Sequence, residues 1–568
     1  MNDQSVKERQ TIWPPAQWLR NYQRGWLMPD VVAGVTLAAY AIPVSLAYAT
    51  LAGLPPHCGI YCYLLGGVAY ALFGTSRQLA IGPTSAIAML VGTTIAGMAE
   101  GDPALWAGIA SLTALVVAIL SVLAWLLRLS VLMSFISETI LLGFKAGAAL
   151  TIALTQLPKL FGVPGGGEHF FEQLWILGRQ LPELNWAVLG FGLSALALLL
   201  AGEKLFPGRP VALIVVILSI VLMSITSLSE QGLKIVGELP QGLPAIQLPS
   251  LRLRDIEGVI PLAFACFLLS FIESVSAART LAAKNGYEVD PRQELLGIGA
   301  ANFAVAFAQG FPVAGGLSQS AVNDKAGARS PLALIVASFS LGLCLLYLTG
   351  LLRNLPTVVL AAVVLFAVRG LIDVPALRRL RKVSRLEFRI SMVALIGVLL
   401  LGILKGVLLA AIVSLLMLIT VAARPHVAFL GRIPGSKRFS DADRHPDNET
   451  VPGVLIFRVE ASLLYFNVDH VRDIVWKKIQ STTPLRLVIC DLSNSPQCDV
   501  AGARVLSRLQ QDLAERGVKL RLVEAHSNLR NVLRAVGLEE QVGHLSRRQS
   551  VEQAIVEFEQ CGSAPSWF

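Results

Sequence analysis

Three features of the chain can do chemistry by residue type and position. The first is Glu273, the one charged residue in Ala263–Ala278. An acid inside an apolar segment is costly to keep and reads as functional by default. It can carry a proton, or it can help bind a sodium ion through oxygen ligands. A hydrogen-bonded glutamic acid that fixes its helix is the structural alternative. The other two features form a pair. Gly82-Pro83 precedes Thr84-Ser85, and Gly315-Gly316-Leu317 precedes Ser318-Gln319-Ser320. Each is a Gly- or Pro-rich break followed by a short segment that opens with hydroxyl residues. The free N–H groups and positive dipole end of a helix N-terminus make an anion site. Two such termini meeting near the membrane midplane would hold an oxyanion without a full positive charge. Thr84, Ser85, Ser318 and Ser320 would add hydroxyl donors. A single kink of this kind is ordinary helix packing; a matched pair reads as a binding site.

The elements that must position these residues are membrane helices. Of 568 residues, 54% are apolar and 15% charged, against about 25% charged in an ordinary globular protein. Mean hydropathy is +0.63. Such a chain cannot cover its surface with charge, so most of it faces lipid. The same numbers exclude a disordered chain, a collagen and a secreted disulfide scaffold. Cys58 and Cys62 lack a second ligand pair, so no metal site is expected. The net charge of +9 reads as Lys and Arg in cytoplasmic loops, not as a nucleic-acid surface.

Fourteen apolar segments are expected between residues 31 and 424. Those at 84–98 and 317–326 are short and read as half helices. With a cytoplasmic N-terminus, the inside loops hold Arg128, Lys204, Lys325, Arg329 and the cluster Arg378, Arg379, Arg381, Lys382 and Arg385. The outside loops hold Glu100, Asp102, Glu172, Glu183, Glu230 and Glu238. This is the positive-inside asymmetry, and an even count puts both termini in the cytoplasm. No cleavable signal is expected, and the compact loops point to the cytoplasmic (inner) membrane of a bacterium. Glu138 and Lys145 lie two turns apart on one face of the fifth segment. Each is read as half of a structural ion pair with some other partner.

The breaks also mark an internal echo. Val68-Ala69-Tyr70-Ala71 precedes Gly74 and the first break; Val305-Ala306-Phe307-Ala308 precedes Gly310 and the second. The third segment of one set of seven thus matches the third of another. Sets of seven have opposite membrane orientation, as in inverted-repeat transporters. After Arg424 the composition becomes that of a soluble domain. Strands are expected at Val454–Glu460, Leu485–Asp491 and Lys519–Val523, and helices at Val500–Arg516 and Leu529–Val536. The expected division is a cytoplasmic N-terminal segment (1–30), a membrane region (31–424), a linker (425–452) and a small α/β domain (453–562).

Several stretches resemble the sulfate permease (SulP) family of anion transporters. They are Ala41-Ile42-Pro43-Val44-Ser45-Leu46-Ala47-Tyr48-Ala49, Leu51-Ala52-Gly53-Leu54-Pro55-Pro56, Phe73-Gly74-Thr75-Ser76-Arg77, Gly82-Pro83-Thr84, Ile272-Glu273-Ser274, and Phe311-Pro312-Val313 through Ser318-Gln319-Ser320-Ala321-Val322-Asn323. The C-terminal segment resembles the family's STAS domain. The resemblance implies a seven-plus-seven inverted repeat split into core and gate domains. The substrate would sit between the third and tenth helices and move by an elevator-like shift of the core, often within a homodimer. It implies Tyr48 as an aromatic wall, and Leu317 and Ser318 at the opening of the tenth helix. Thr84 stands where animal relatives carry Phe, which makes the pocket more polar. The usual Pro-Gln of the first helix is Pro43-Val44 here, and Gln319 replaces an Arg found in many relatives. Glu273 matches a Glu of proton-coupled plant relatives. Asp499-Val500-Ala501-Gly502 lacks the phosphorylated Ser of soluble STAS proteins, so Asp499 reads as a helix N-cap and the domain as an assembly or partner-binding module.

The substrate site is therefore expected at Tyr48, Thr84, Ser85, Leu317, Ser318 and Gln319, with the coupling ion, H+ or Na+, at Glu273. No organic cofactor or metal is expected. Sulfate by proton symport leads; sodium-coupled bicarbonate, proton-coupled dicarboxylate and an uncoupled anion channel are the alternatives. No Walker loop or nucleophile–base motif points to an enzyme.

Overall fold

The computed structural model describes residues 16–99, 102–129, 138–167, 169–206, 210–226, 232–249, 253–546 and 549–562. Glu100, Glu230 and the residues before Ala16 lie outside these, as does the side chain of Glu138. The chain forms two compact units, Met1–Ser414 and Leu415–Phe568.

The membrane helices come in two sets. The first is α1 (Leu27–Leu51), α2 (His57–Phe73), α3 (Ser85–Ala96), α4 (Pro103–Leu126), α5 (Glu138–Phe161), α6 (Phe170–Gln180), α7 (Trp186–Leu205) and α8 (Val211–Ile225). The second is α9 (Leu253–Asn285), α10 (Pro291–Ala306), α11 (Leu317–Lys325), α12 (Leu332–Tyr347), α13 (Thr357–Val368), α14 (Val374–Val383), α15 (Arg385–Leu401) and α16 (Ile403–Ala423). Among the described residues seven helical stretches are long and apolar enough to cross a membrane: α1, α4, α5, α7, α9, α16 and Thr357–Val383, which runs from α13 through α14. The expected segments all appear as helices.

Two helices were not among them. Both α6 and α14 are amphipathic and too short and polar to register as apolar runs. In α14, Val374, Leu377 and Leu380 recur at intervals of three while Arg378, Arg379, Arg381 and Lys382 fill the other face, and none of its residues is buried. Each lies between the fifth and sixth apolar helices of its set, so each of these sixteen helices has a counterpart eight positions away; the one-turn helix Thr349–Leu352 stands outside the pattern.

The packing has the same symmetry. Helix α1 packs on α12 as α9 packs on α4, and α2 on α12 as α10 on α4. These eight-helix neighbours (α1–α4 with α9–α12) form a core half. In the gate half, α5 packs on α15 as α13 packs on α7. Two short strands join the repeats inside the core. β1 (Ile81–Gly82) pairs antiparallel with β2 (Ala314–Gly315), Ile81 opposite Gly315 and Gly82 opposite Ala314. The pairing satisfies backbone groups that a broken helix leaves open, as burial in protein requires. Glycine is needed at the crossing: a Cβ on Gly315 would stand 2.7 Å from the Leu79 side chain, and one on Gly82 would enter the Tyr63 ring.

Polar side chains bind the core together across long sequence gaps. Glu294 on α10 accepts from the Tyr70 hydroxyl (2.7 Å) and from the Thr75 (2.8 Å) and Ser76 (3.2 Å) amides. Asp30 accepts from the Arg329 (2.6 Å) and Ser330 (3.0 Å) amides. Ser274 accepts from the Gly315 amide at 2.7 Å, which ties α9 to the second break.

The C-terminal unit is a five-stranded sheet in the order β4-β3-β5-β6-β7: β3 (Val427–Arg432), β4 (Phe439–Asp441), β5 (Val454–Val459), β6 (Leu487–Asp491) and β7 (Lys519–Val523). Strands β5, β6 and β7 are parallel; β3 is antiparallel to β4 and β5. Helices α17 (Val468–Ser481), α18 (Val500–Ala514), α19 (Ser527–Ala535), α20 (Leu538–Val542) and α21 (Val551–Gly562) complete it. The segment 425–452 is thus not a free linker. Its four-residue apolar run Val427-Ala428-Phe429-Leu430 is too short to stand out by periodicity. It becomes a strand because Val427, Ala428 and Phe429 pair with Val459, Arg458 and Phe457. Asp499 caps α18 as expected: Oδ1 accepts from the Gly502 amide at 2.8 Å and Oδ2 from the Tyr465 amide at 2.8 Å.

Candidate functional site

The β1–β2 crossing aims two helix N-termini at one space. Helix α3 starts after Thr84, whose backbone is extended and whose side chain makes no capping bond. Helix α11 starts after Gly316, which has no side chain to cap with. Their first N–H groups are therefore not met by a capping side chain. Thr84 Oγ1 is buried and forms no well-aligned hydrogen bond to the described residues, with the Glu273 carboxyl beside it. A buried hydroxyl without a well-aligned partner is costly, and here it faces a cavity of about 220 Å³.

The seven residues expected at the substrate and coupling-ion sites line that cavity: Tyr48, Thr84, Ser85, Glu273, Leu317, Ser318 and Gln319. Tyr48, Thr84 and Ser85 are buried in its wall, whereas Leu317 and Ser318 are exposed toward the open space. Val44 contributes an apolar surface. Ser320 is elsewhere: its Oγ accepts from the Ala80 amide at 2.9 Å and serves the crossing.

Gln319 is also more structural than its position implied. Its amide nitrogen donates to Ala80 O (2.9 Å) and Ala314 O (3.1 Å), and its Oε1 accepts from the Tyr63 hydroxyl. Both amide hydrogens are engaged, so none is free for a ligand. Lys145, which its sequence position suggests as half of a structural pair, lines the same cavity. The signal was present: a lysine inside an apolar segment is as unusual as Glu273.

A second cavity of about 320 Å³ shares Tyr40, Val44, Ser318, Ala367 and Gly370 with the first. Its other walls include Glu203 and Phe206 at the end of α7, Val211 at the start of α8, Lys325 at the end of α11 and Arg369 after α13. Arg369 and Glu203 form an ion pair there. The inner cavity is thus approached from the side of the membrane where these helix ends lie.

The fold and site define a multi-pass membrane transporter with paired half helices. Residues 27–394 match the model of the sulfate permease family and residues 445–554 that of the STAS domain. The chain belongs to the sulfate permease family. It is 34% identical over 533 residues to a probable sulfate transporter of Mycobacterium tuberculosis, covering 94% of this chain and 95% of that one. It is 30% identical over 559 residues to sulfate transporter 4.1, chloroplastic, of Arabidopsis thaliana, covering 94% of this chain and 80% of that one. Its fold is similar to that of murine Slc26a9, an anion transporter solved in the inward-facing state, with a TM-score of 0.86 at 23% identity, covering 96% of this chain and 93% of that one.

Proposed function

We propose that this chain is a secondary active transporter of an inorganic oxyanion, sulfate by proton symport, in the cytoplasmic membrane of a bacterium. The observation that carries the reading is the cavity itself. Two uncapped half-helix N-termini, the buried Thr84 hydroxyl and the Glu273 carboxyl converge on one cavity. The termini favour an anion, and Glu273 offers a place for one accompanying cation. The relatives named as sulfate transporters support sulfate as the oxyanion.

Transport follows from the division of the walls. Tyr48, Thr84, Glu273 and Ser318 ride on the core half; Lys145 and Ala367 belong to the gate half. A rigid-body shift of core past gate would carry the anion in an elevator-like step. The positive-inside charges support a cytoplasmic position for the vestibule lined by Lys325 and Arg369, and with it an inward-open reading. The C-terminal unit serves assembly of a homodimer or binds a protein partner, since Val500 and Ala501 offer no hydroxyl for phosphorylation.

The test is uptake of labelled sulfate, bicarbonate and fumarate into proteoliposomes, with proton and sodium gradients imposed separately. Proton-driven sulfate accumulation is expected. Sodium-driven bicarbonate uptake would replace both substrate and ion, and leak without accumulation would replace the transporter with a channel.

A further inference from the structure

The cavity at the two half-helix termini holds a cation that neither break supplies. Lys145 on α5 is half-buried, lines the same space as Thr84, Glu273 and Ser318, and makes no ion pair within 4 Å among the described residues. Position 319 cannot play this part, because Gln319 is neutral and its two amide hydrogens are already bound to Ala80 O and Ala314 O.

Charge balance shows what Lys145 adds. A helix N-terminus is equivalent to about half a positive charge, so the two termini together offer about one. That suits a monoanion. A tetrahedral dianion leaves about one charge unmet in a site where water is scarce. An ammonium group at the cavity wall closes the difference. Glu273 would reopen it unless a proton or a metal cation neutralises the carboxylate, so one coupling cation per dianion follows from the same balance.

We propose that Lys145 is the fixed positive charge of the anion site, that it selects dianions over monoanions, and that it reaches the anion from the gate half. The core supplies neutral donors and Glu273, while the gate supplies the cation. A shift of core past gate therefore changes the distance between anion and ammonium, and this contact differs between the two ends of the cycle. The inference rests on the proposed oxyanion function for its dianion, but not for the anion site itself.

The test uses the purified full-length protein, wild type, Lys145→Gln and Lys145→Arg, and reads the dissociation constants of sulfate and bicarbonate from ligand-induced thermal stabilisation. Unliganded unfolding temperatures show whether each variant folds. Coulomb energy scales with ligand charge, so the loss factor for sulfate in Lys145→Gln is about the square of that for bicarbonate. A roughly fivefold weakening for bicarbonate would thus accompany roughly twenty-fivefold for sulfate. Lys145→Arg should restore most of both. Equal losses for the two anions, or no loss in Lys145→Gln, would overturn the proposal. If wild type binds bicarbonate but not sulfate, the sulfate reading fails by itself. Lys145 then stands or falls on whether the bicarbonate constant weakens in Lys145→Gln and returns in Lys145→Arg. If wild type binds neither anion, both readings fall.

Discussion

The core and gate halves are built from matched helices yet are held together differently. The core contains buried polar ties between distant segments: Glu294 to Tyr70, Thr75 and Ser76, Asp30 to Arg329 and Ser330, Ser274 to Gly315. The gate relies on close helix contact. A Cβ on Gly147 of α5 would lie 2.8 Å from the Leu395 carbonyl of α15, while Leu198, Ile214, Ile217 and Leu400 are exposed on its outer surface. Specific hydrogen bonds keep the core's two broken helices in register, because a small slip would leave several buried groups unpaired. Apolar contact tolerates sliding against lipid or a neighbour. The same repeat thus yields one half tied by buried hydrogen bonds and one half held by apolar contact.

The sharpest way to break this contrast is at Glu294. Glu294→Ala leaves the Tyr70 hydroxyl and the Thr75 and Ser76 amides without their acceptor, at a cost on the order of 3 kcal/mol or more. Leu198→Ala on the outer surface of α7 should change stability by less than about 0.5 kcal/mol. Thermal unfolding in detergent, compared side by side, checks both; equal destabilisation would remove the distinction.

The next effect is functional. Glu273→Gln keeps size and hydrogen bonding but removes the titratable charge, so gradient-driven accumulation should vanish while anion exchange persists. Accumulation at the wild-type level would reject Glu273 as the coupling site. A smaller change is expected at Thr84→Val, which is close to isosteric. Loss of one hydroxyl donor to the anion, worth about 1.4 kcal/mol, raises KM about tenfold. An unchanged KM would mean that the buried hydroxyl faces the cavity without meeting the substrate.

The smallest effect lies in the C-terminal unit, where charge is met by solvent and not by lipid. Arg534 and the Leu545 amide hold the Glu539 carboxyl down at about 2, through bonds of 2.6 Å and 2.9 Å. A depressed folded value stabilises the fold above the unfolded value near about 4.3 and is lost as pH falls toward about 2. Hydrogen exchange at the Leu545 amide, corrected for intrinsic rates, should lose protection across that window. Glu539→Gln should make the protection independent of pH there.

Much of the architecture was legible because its signals are local. Long apolar runs, Gly/Pro breaks and a lone acid at Glu273 can be seen without knowing what they touch. In the C-terminal unit β5, β6, β7, α18 and α19 match the expected elements, while β3, β4, α17, α20 and α21 are additional; β3 exists through its pairing with β5, whereas α17 carries Val468, Val471, Val475 and Ile479 at helical spacing and was legible. Helices α6 and α14 escape a reading built on spanning length because both are short, amphipathic and polar on one face. The site residues came together as a set because each lies beside a break or within an apolar run.

What the sequence alone determined was which segments enter the membrane, where two of them break, and which side chains sit at those breaks. These follow from the cost of placing polar groups in lipid, which acts on each segment separately. Only the tertiary structure decided which polar groups remain free. Gln319 is spent on Tyr63, Ala80 and Ala314, whereas Thr84 and Lys145 are left facing the cavity. Most of Gln319's partners lie more than 200 residues away in the chain. Hydrogen-bond satisfaction is a property of the packed structure, and no spacing rule along the chain encodes it.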